Sequence, residues 1–207
     1  MPKTKVIFWE VDAQEDFILP GGKLYVPGAE KIIPNIARLV DVAREGRVLL
    51  ISSTCRHSAD DPEFKTFPPH CLRGTSGERI IPQGLTQEIY SIPNDQSVKL
   101  PSSIFENQQL VIEKQTLNVF DNPHAEAIVD RLGKDAEYVV FGVVTEYCVH
   151  LAAKGLLDRG RKVSIVKDAV ETLEGDEGRR SLDELKSLGA AFVSTDEAVA
   201  MAPKSAR

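Results

Sequence analysis

Apolar positions along this 207-residue chain fall into short continuous runs separated by stretches with helical spacing. The runs at residues 5–11, 47–53, 109–113, 137–143, 162–166 and 190–193 are dominated by Val, Ile, Leu, Ala and Phe. Runs of that length and composition predict strands buried on both faces. Between them, residues 29–45, 123–132, 146–159 and 176–188 repeat apolar side chains at the period of a helix. Gly46, Gly133, Gly160 and Gly189 follow these four segments, where glycine closes helices. Asn122-Pro123 opens one of them, an N-cap residue type followed by proline in the first turn. The alternation predicts an α/β fold: a three-layer αβα sandwich around a six-stranded, mainly parallel sheet with right-handed crossovers. One domain over residues 1–201 accounts for all of it, with 202–207 expected to be a disordered tail.

Two segments break the rhythm. Residues 55–83 are rich in Pro, Gly, His and charge and read as a long loop, a length that usually carries function. Residues 84–107, with Pro93 and Pro101, show no clear period and read as a lid or a subunit contact.

Three reactive side chains sit where strands end. Asp12 follows the run Val6 to Val11, Lys114 follows Leu110 to Glu113, and Cys148 falls in the first turn of the helix after residues 137–143. In parallel α/β sheets the carboxyl ends of the strands form the ligand edge. A thiol at a helix N-terminus ionises more easily, an acid nearby accepts its proton, and a lysine stabilises the thiolate. Each alone has an ordinary reading: a packed cysteine, a turn carboxylate, a solvated lysine. Glu10 lies inside the first apolar run and needs a partner if buried; the pattern offers none. Asp16 is expected to brace the Asp12 loop, Cys71 to pack, and His124 and His150 to be structural.

Composition narrows the field. Hydrophobic residues make up 42% and charged residues 27% of the chain, as in soluble globular proteins. A net charge of −6 gives no basis for a nucleic acid or an anionic membrane as partner. No run is long enough to span a bilayer, and Lys3 and Lys5 precede only a short strand, without the pattern of a secretion signal. The three cysteines Cys55, Cys71 and Cys148 suit a reducing cytoplasm better than a disulfide framework.

Four blocks, taken in order, resemble the isochorismatase-like cysteine hydrolases, and most closely their nicotinamidase branch. They are Val11-Asp12-Ala13-Gln14-Glu15-Asp16-Phe17, the loop from Phe67 to Thr75 with His70, Lys114, and Gly142-Val143-Val144-Thr145-Glu146-Tyr147-Cys148-Val149. The resemblance implies a catalytic triad of Asp12, Lys114 and Cys148. It also implies a non-proline cis peptide between Val143 and Val144, which aims the N–H groups of Val144 and Cys148 into an oxyanion hole. Phe17, Phe67 and Phe120 are the implied walls of the substrate pocket. The family's metal site matches His57 and His70, while Cys55 stands in place of an aspartate and Glu63 in place of a histidine. All four are competent zinc ligands, and a thiolate favours a soft or borderline metal; manganese and iron are the other candidates. The resemblance implies hydrolysis of a small-molecule amide, nicotinamide first, and a homo-oligomer. A linear amide such as ureidoacrylate, maleamate or a carbamoyl amino acid is the sibling reading. A thiol redox sensor without enzymatic turnover is the reading from another class.

Overall fold

The computed structural model describes residues 5–204. The strands are β1 (Val6–Val11), β2 (Leu49–Cys55), β3 (Ile89–Ile92), β4 (Gln109–Lys114), β5 (Glu137–Gly142), β6 (Lys162–Val170) and β7 (Ala191–Val193). They form one parallel sheet in the order β3-β4-β2-β1-β5-β6-β7. The sheet therefore has seven strands rather than the six expected. The added strand, β3, lies within the segment 84–107 that shows no period. It is a four-residue edge strand with mostly uncovered positions, so no burial pattern marks it. β6 runs four residues past its expected end.

The helices are α1 (Glu15–Ile18), α2 (Ile33–Arg44), α3 (Ala125–Leu132), α4 (His150–Asp158), α5 (Gly175–Ser187) and α6 (Thr195–Met201). A 3-10 turn, Ala29–Ile32, occupies the start of the long helix expected at 29–45. A turn of π-helix, Thr145–Val149, leads into α4 and carries Cys148. Side chains alternate across β1. Phe8 joins Phe17 and Ile18 of α1, Leu39 and Val40 of α2 and Ala198 of α6 in one core layer. Ile7, Trp9 and Val11 join Ile128, Ala152 and Leu185 of α3, α4 and α5 in the other. Both faces are covered, and β1 is buried along its full length.

Of the tail expected to be disordered, Ala202 is buried in the core and Pro203 O accepts from Arg47 Nε at 2.7 Å. Residues 205–207 lie outside the described residues. The order in which strands are added reverses between β1 and β5. That places the carboxyl ends of β2, β4, β1 and β5 around a topological switch point, the usual ligand crevice of such sheets. Gly142 makes the junction close: a Cβ there would lie 2.0 Å from Val11 O, so only glycine lets β1 and β5 end side by side.

Glu10 faces inward, fully buried, and finds its partner on the neighbouring strand. Ser52 Oγ donates to Glu10 Oε2 at 2.7 Å, and Gln109 Nε2 donates to Ser52 Oγ at 2.8 Å. Burial pushes its carboxyl from 4.5 up to about 8, so the folded chain carries it protonated at neutral pH. An acid protonated when folded and ionised when unfolded costs stability as pH rises between the two values. Glu10→Gln, which is neutral at every pH, is expected to be more stable than wild type at pH 8 by on the order of a few kcal/mol, and so to melt at a higher temperature. The advantage should shrink toward pH 4.5. Thermal melts that show the same difference at both ends would refute the buried neutral acid.

Candidate active site

The four central strands each deliver one polar group to the switch point. Asp12 leaves β1 with a left-handed backbone, φ 48°, a conformation aspartate tolerates better than most residues. Its N–H donates to Ser53 O at 2.9 Å. Gln14 then pins the end of β2. Its Nε2 donates to Cys55 O at 2.8 Å, and its Oε1 accepts from Cys55 N at 2.7 Å. Lys114 pairs with Cys55 in the β2–β4 register. Asn122 holds that strand end, donating from Nδ2 to Glu113 O at 2.8 Å; it lies three residues before α3, whose N-cap is His124 rather than Asn122. Cys148 arrives from the π turn after β5.

Lys114 is the hub. Its Nζ lies 2.9 Å from Asp12 Oδ2, 2.8 Å from Cys55 Sγ and 3.4 Å from Cys148 Sγ. Burial by itself would lower its pKa, but Asp12, Cys148 and Cys55 overrule it and hold the ammonium well above its usual range. Asp12 is pushed from 3.8 up to about 7, by burial first and then by the charge on Cys55, with Lys114 opposing. The two sulfurs do not share charge equally. The Cys148 S–H donates to Cys55 and, with Lys114, holds the Cys55 thiol well below the ordinary range despite its burial. Cys148 is pushed well above it, by that same bond to Cys55 and then by burial and Asp12. Asp12 lies within hydrogen-bonding reach of the Cys148 thiol.

Beside this cluster, one ligand atom each from Cys55, His57 and His70 lie within 4.8 Å of one another. Both histidines are oriented for coordination. His57 Nδ1 donates to Asp61 Oδ2 at 3.0 Å and His70 Nδ1 to Pro68 O at 2.8 Å, so in the neutral rings each Nε2 is the free acceptor. His57 Nε2 is buried with no protein partner, and an orphaned buried acceptor of that kind fits a cation. Glu63 Oε1 stands 4.0 Å from His70 Nε2. Asp61 orients rather than ligates, because its oxygens already serve His57 Nδ1 and Glu63 N. The donor set, one thiolate, two imidazoles and a carboxylate, suits a zinc-like ion.

Asp12, Cys55, Glu63, His70 and Cys148 open onto one cavity, walled by Phe17, Leu24, Phe67, Leu117, Tyr147 and Leu173. Its free space is about 20 Å³, room for roughly one water. Phe17 packs on the His70 ring at 5.2 Å and Phe67 meets Tyr147 edge-on at 5.9 Å. Phe120, expected as a third wall, is placed elsewhere: it fills the gap over Gly155 and lies between Trp9, at 6.1 Å, and the Arg159 guanidinium, at 3.9 Å. Leu24, Leu117 and Leu173 carry no local signal in the sequence. Asp16 braces a different loop from the one expected, accepting from Cys71 N at 2.7 Å and Lys23 N at 3.0 Å. The peptide between Val143 and Val144 is cis.

Comparison with known proteins agrees with this geometry. The chain is 24% identical over 204 residues to the nicotinamidase of Escherichia coli strain K12, covering 87% of this chain and 90% of that protein. It is 23% identical over 203 residues to the nicotinamidase of Saccharomyces cerevisiae, covering 84% and 90%. Among solved structures it resembles the pyrazinamidase of Pyrococcus horikoshii in complex with zinc, at TM-score 0.73 and 26% identity over 92% of this chain and 99% of that one. The family model described as "Isochorismatase domain" matches residues 7–90 and 94–197, and the chain belongs to the isochorismatase family.

Proposed function

We propose that the protein hydrolyses a small uncharged carboxamide, nicotinamide first, to the acid and ammonia through a thioester on Cys148. The supporting observation is the single buried ammonium of Lys114, 2.9 Å from Asp12 Oδ2 and 3.4 Å from Cys148 Sγ, beside an enclosed apolar cavity. Asp12 accepts the Cys148 proton as the sulfur attacks the amide carbon. A carboxyl whose pKa lies near 7 suits both halves of that task, taking a proton and returning it to the leaving ammonia. The N–H groups of Val144 and Cys148 hold the oxyanion. Water, deprotonated by Asp12, then opens the thioester. Lys114 keeps Asp12 and the attacking sulfur from both being charged without a counter-ion.

Cys55, His57, His70 and Glu63 would hold a divalent metal, which when bound supplies a Lewis-acidic anchor for a ring nitrogen of the substrate. The walls favour a neutral ring over a linear amide that carries a carboxylate. Among the described residues, no arginine lines the cavity, and Lys114 is already committed to Asp12. The groove outside adds Asp61, Glu63 and Asp121, an acidic approach that disfavours an anion. Access for a ring requires the mouth side chains Phe67 and Leu173 to move, since the free space holds only about one water.

Ammonia release from nicotinamide tests the reading. Cys148→Ala should abolish turnover, and Asp12→Asn and Lys114→Ala should each lose about 10²–10⁴-fold; a near-wild-type rate in any of the three would break the triad. Nicotinamide should outpace maleamate and ureidoacrylate, and the reverse order would move the assignment to linear amides. Asp61→Ala removes no ligand but frees the His57 ring, so affinity for zinc, measured by competition with a chelating dye, should fall about 10–100-fold. Unchanged affinity would place the metal elsewhere.

A further inference from the structure

Cys55 is a buried nucleophile for which the hydrolysis has no chemical step. Its sulfur and that of Cys148 contact the same ammonium, at 2.8 Å and 3.4 Å from Lys114 Nζ. Two sulfurs that touch one nitrogen are held within a few ångströms of each other. Both residues also line the small cavity. Cys71, the third thiol, lies outside that lining. We propose that Cys55 and Cys148 form a reversible disulfide when hydrogen peroxide reaches the cavity, and that this bond switches the enzyme off.

The geometry meets three requirements. Lys114 gathers the two thiols at one point, so the S–S bond, about 2.05 Å long, forms between groups already brought together. Both sulfurs line a cavity whose free space is close to the size of a small oxidant such as peroxide. Lys114 offers a fixed positive charge for the thiolate and for the departing hydroxide. In the first step one thiolate attacks peroxide: an S–O bond forms, the O–O bond breaks, and hydroxide leaves. In the second step the other sulfur attacks the resulting sulfenic acid: the S–S bond forms, the S–O bond breaks, and hydroxide takes the thiol proton. The sum is two thiols plus one peroxide giving one disulfide and two waters, with the sulfurs oxidised and the peroxide oxygens reduced.

The bond removes the sulfur that attacks substrate, and it also withdraws Cys55 from the histidine pair. Oxidation therefore acts on nucleophile and ligand set together. A ring of groups in fixed positions, without any moving domain, is sufficient for this switch.

The test uses the full-length protein, washed with EDTA to clear Cys55, treated with hydrogen peroxide and then alkylated. Digestion without reductant should yield the Cys55 peptide linked to the Cys148 peptide, with the intact mass lower by two hydrogens. Loss of turnover, measured against an EDTA-washed sample that saw no peroxide with zinc restored to both, should track the linked fraction one to one and reverse with dithiothreitol. Cys71→Ser should leave the link intact. In Cys55→Ser, Cys148 should instead run on to sulfinic acid, which dithiothreitol does not reverse. Sulfinic acid on Cys148 of the wild type without linked peptide, or a link that includes Cys71, would overturn the proposal. The peptide link is read by mass alone, so it stands or falls separately from the choice of amide substrate.

Discussion

A lysine ammonium placed almost wholly out of water is the constraint on which the site depends. Lys114 is 1% exposed, and an unpaired charge at that depth costs several kcal/mol. It is tolerated because a carboxylate and two sulfurs surround it, each from a different strand end. Asp12 comes from β1, Cys55 from β2 and Cys148 from the turn after β5. The ammonium therefore ties strand register to chemistry: a slip of one residue in any of these strands turns its partner to the other face. The same charge opposes the rise that burial imposes on Asp12 and Cys148.

The backbone features around the site serve that convergence. Gly142 lets the ends of β1 and β5 approach, and Asp12 turns away from its strand in a left-handed conformation that directs its carboxylate across the sheet edge. Gln14 fixes Cys55 from both sides of its peptide group. These are backbone restraints on residues that would otherwise sit in loops, and they hold the reacting atoms without relying on side-chain packing alone.

Cys55 connects two chemistries that a carboxylate at the same position would keep apart. As a thiolate it would complete the donor set proposed with His57, His70 and Glu63. As a sulfur beside the nucleophile it is also an oxidisable neighbour. Metal ligation and sulfur–sulfur bonding draw on the same lone pairs, so the two states exclude each other. A carboxylate could take the first role only.

The sequence determined the architecture and pointed to the residues proposed to react. Six of the seven strands, the helices α2 to α5 and the positions of Asp12, Lys114 and Cys148 at strand ends follow from hydrophobic runs, because strands covered on both faces must be apolar throughout. The short helix α6, opened by a capping box of Ser194 and Glu197, is not revealed by the apolar period. The short edge strand β3 left no trace, since its side chains are mostly uncovered. Phe120 illustrates the limit for walls: an aromatic near a catalytic lysine looks like a pocket residue, yet the absence of a side chain on Gly155 draws it into the gap between Trp9 and Arg159. Only the tertiary structure decided that Cys55 and Cys148 share one ammonium, that Asp61 orients His57, and that Glu10 rests on Ser52. Those relations join residues distant along the chain, and the distance between them is set by how strands order and twist in the sheet, which no local pattern encodes.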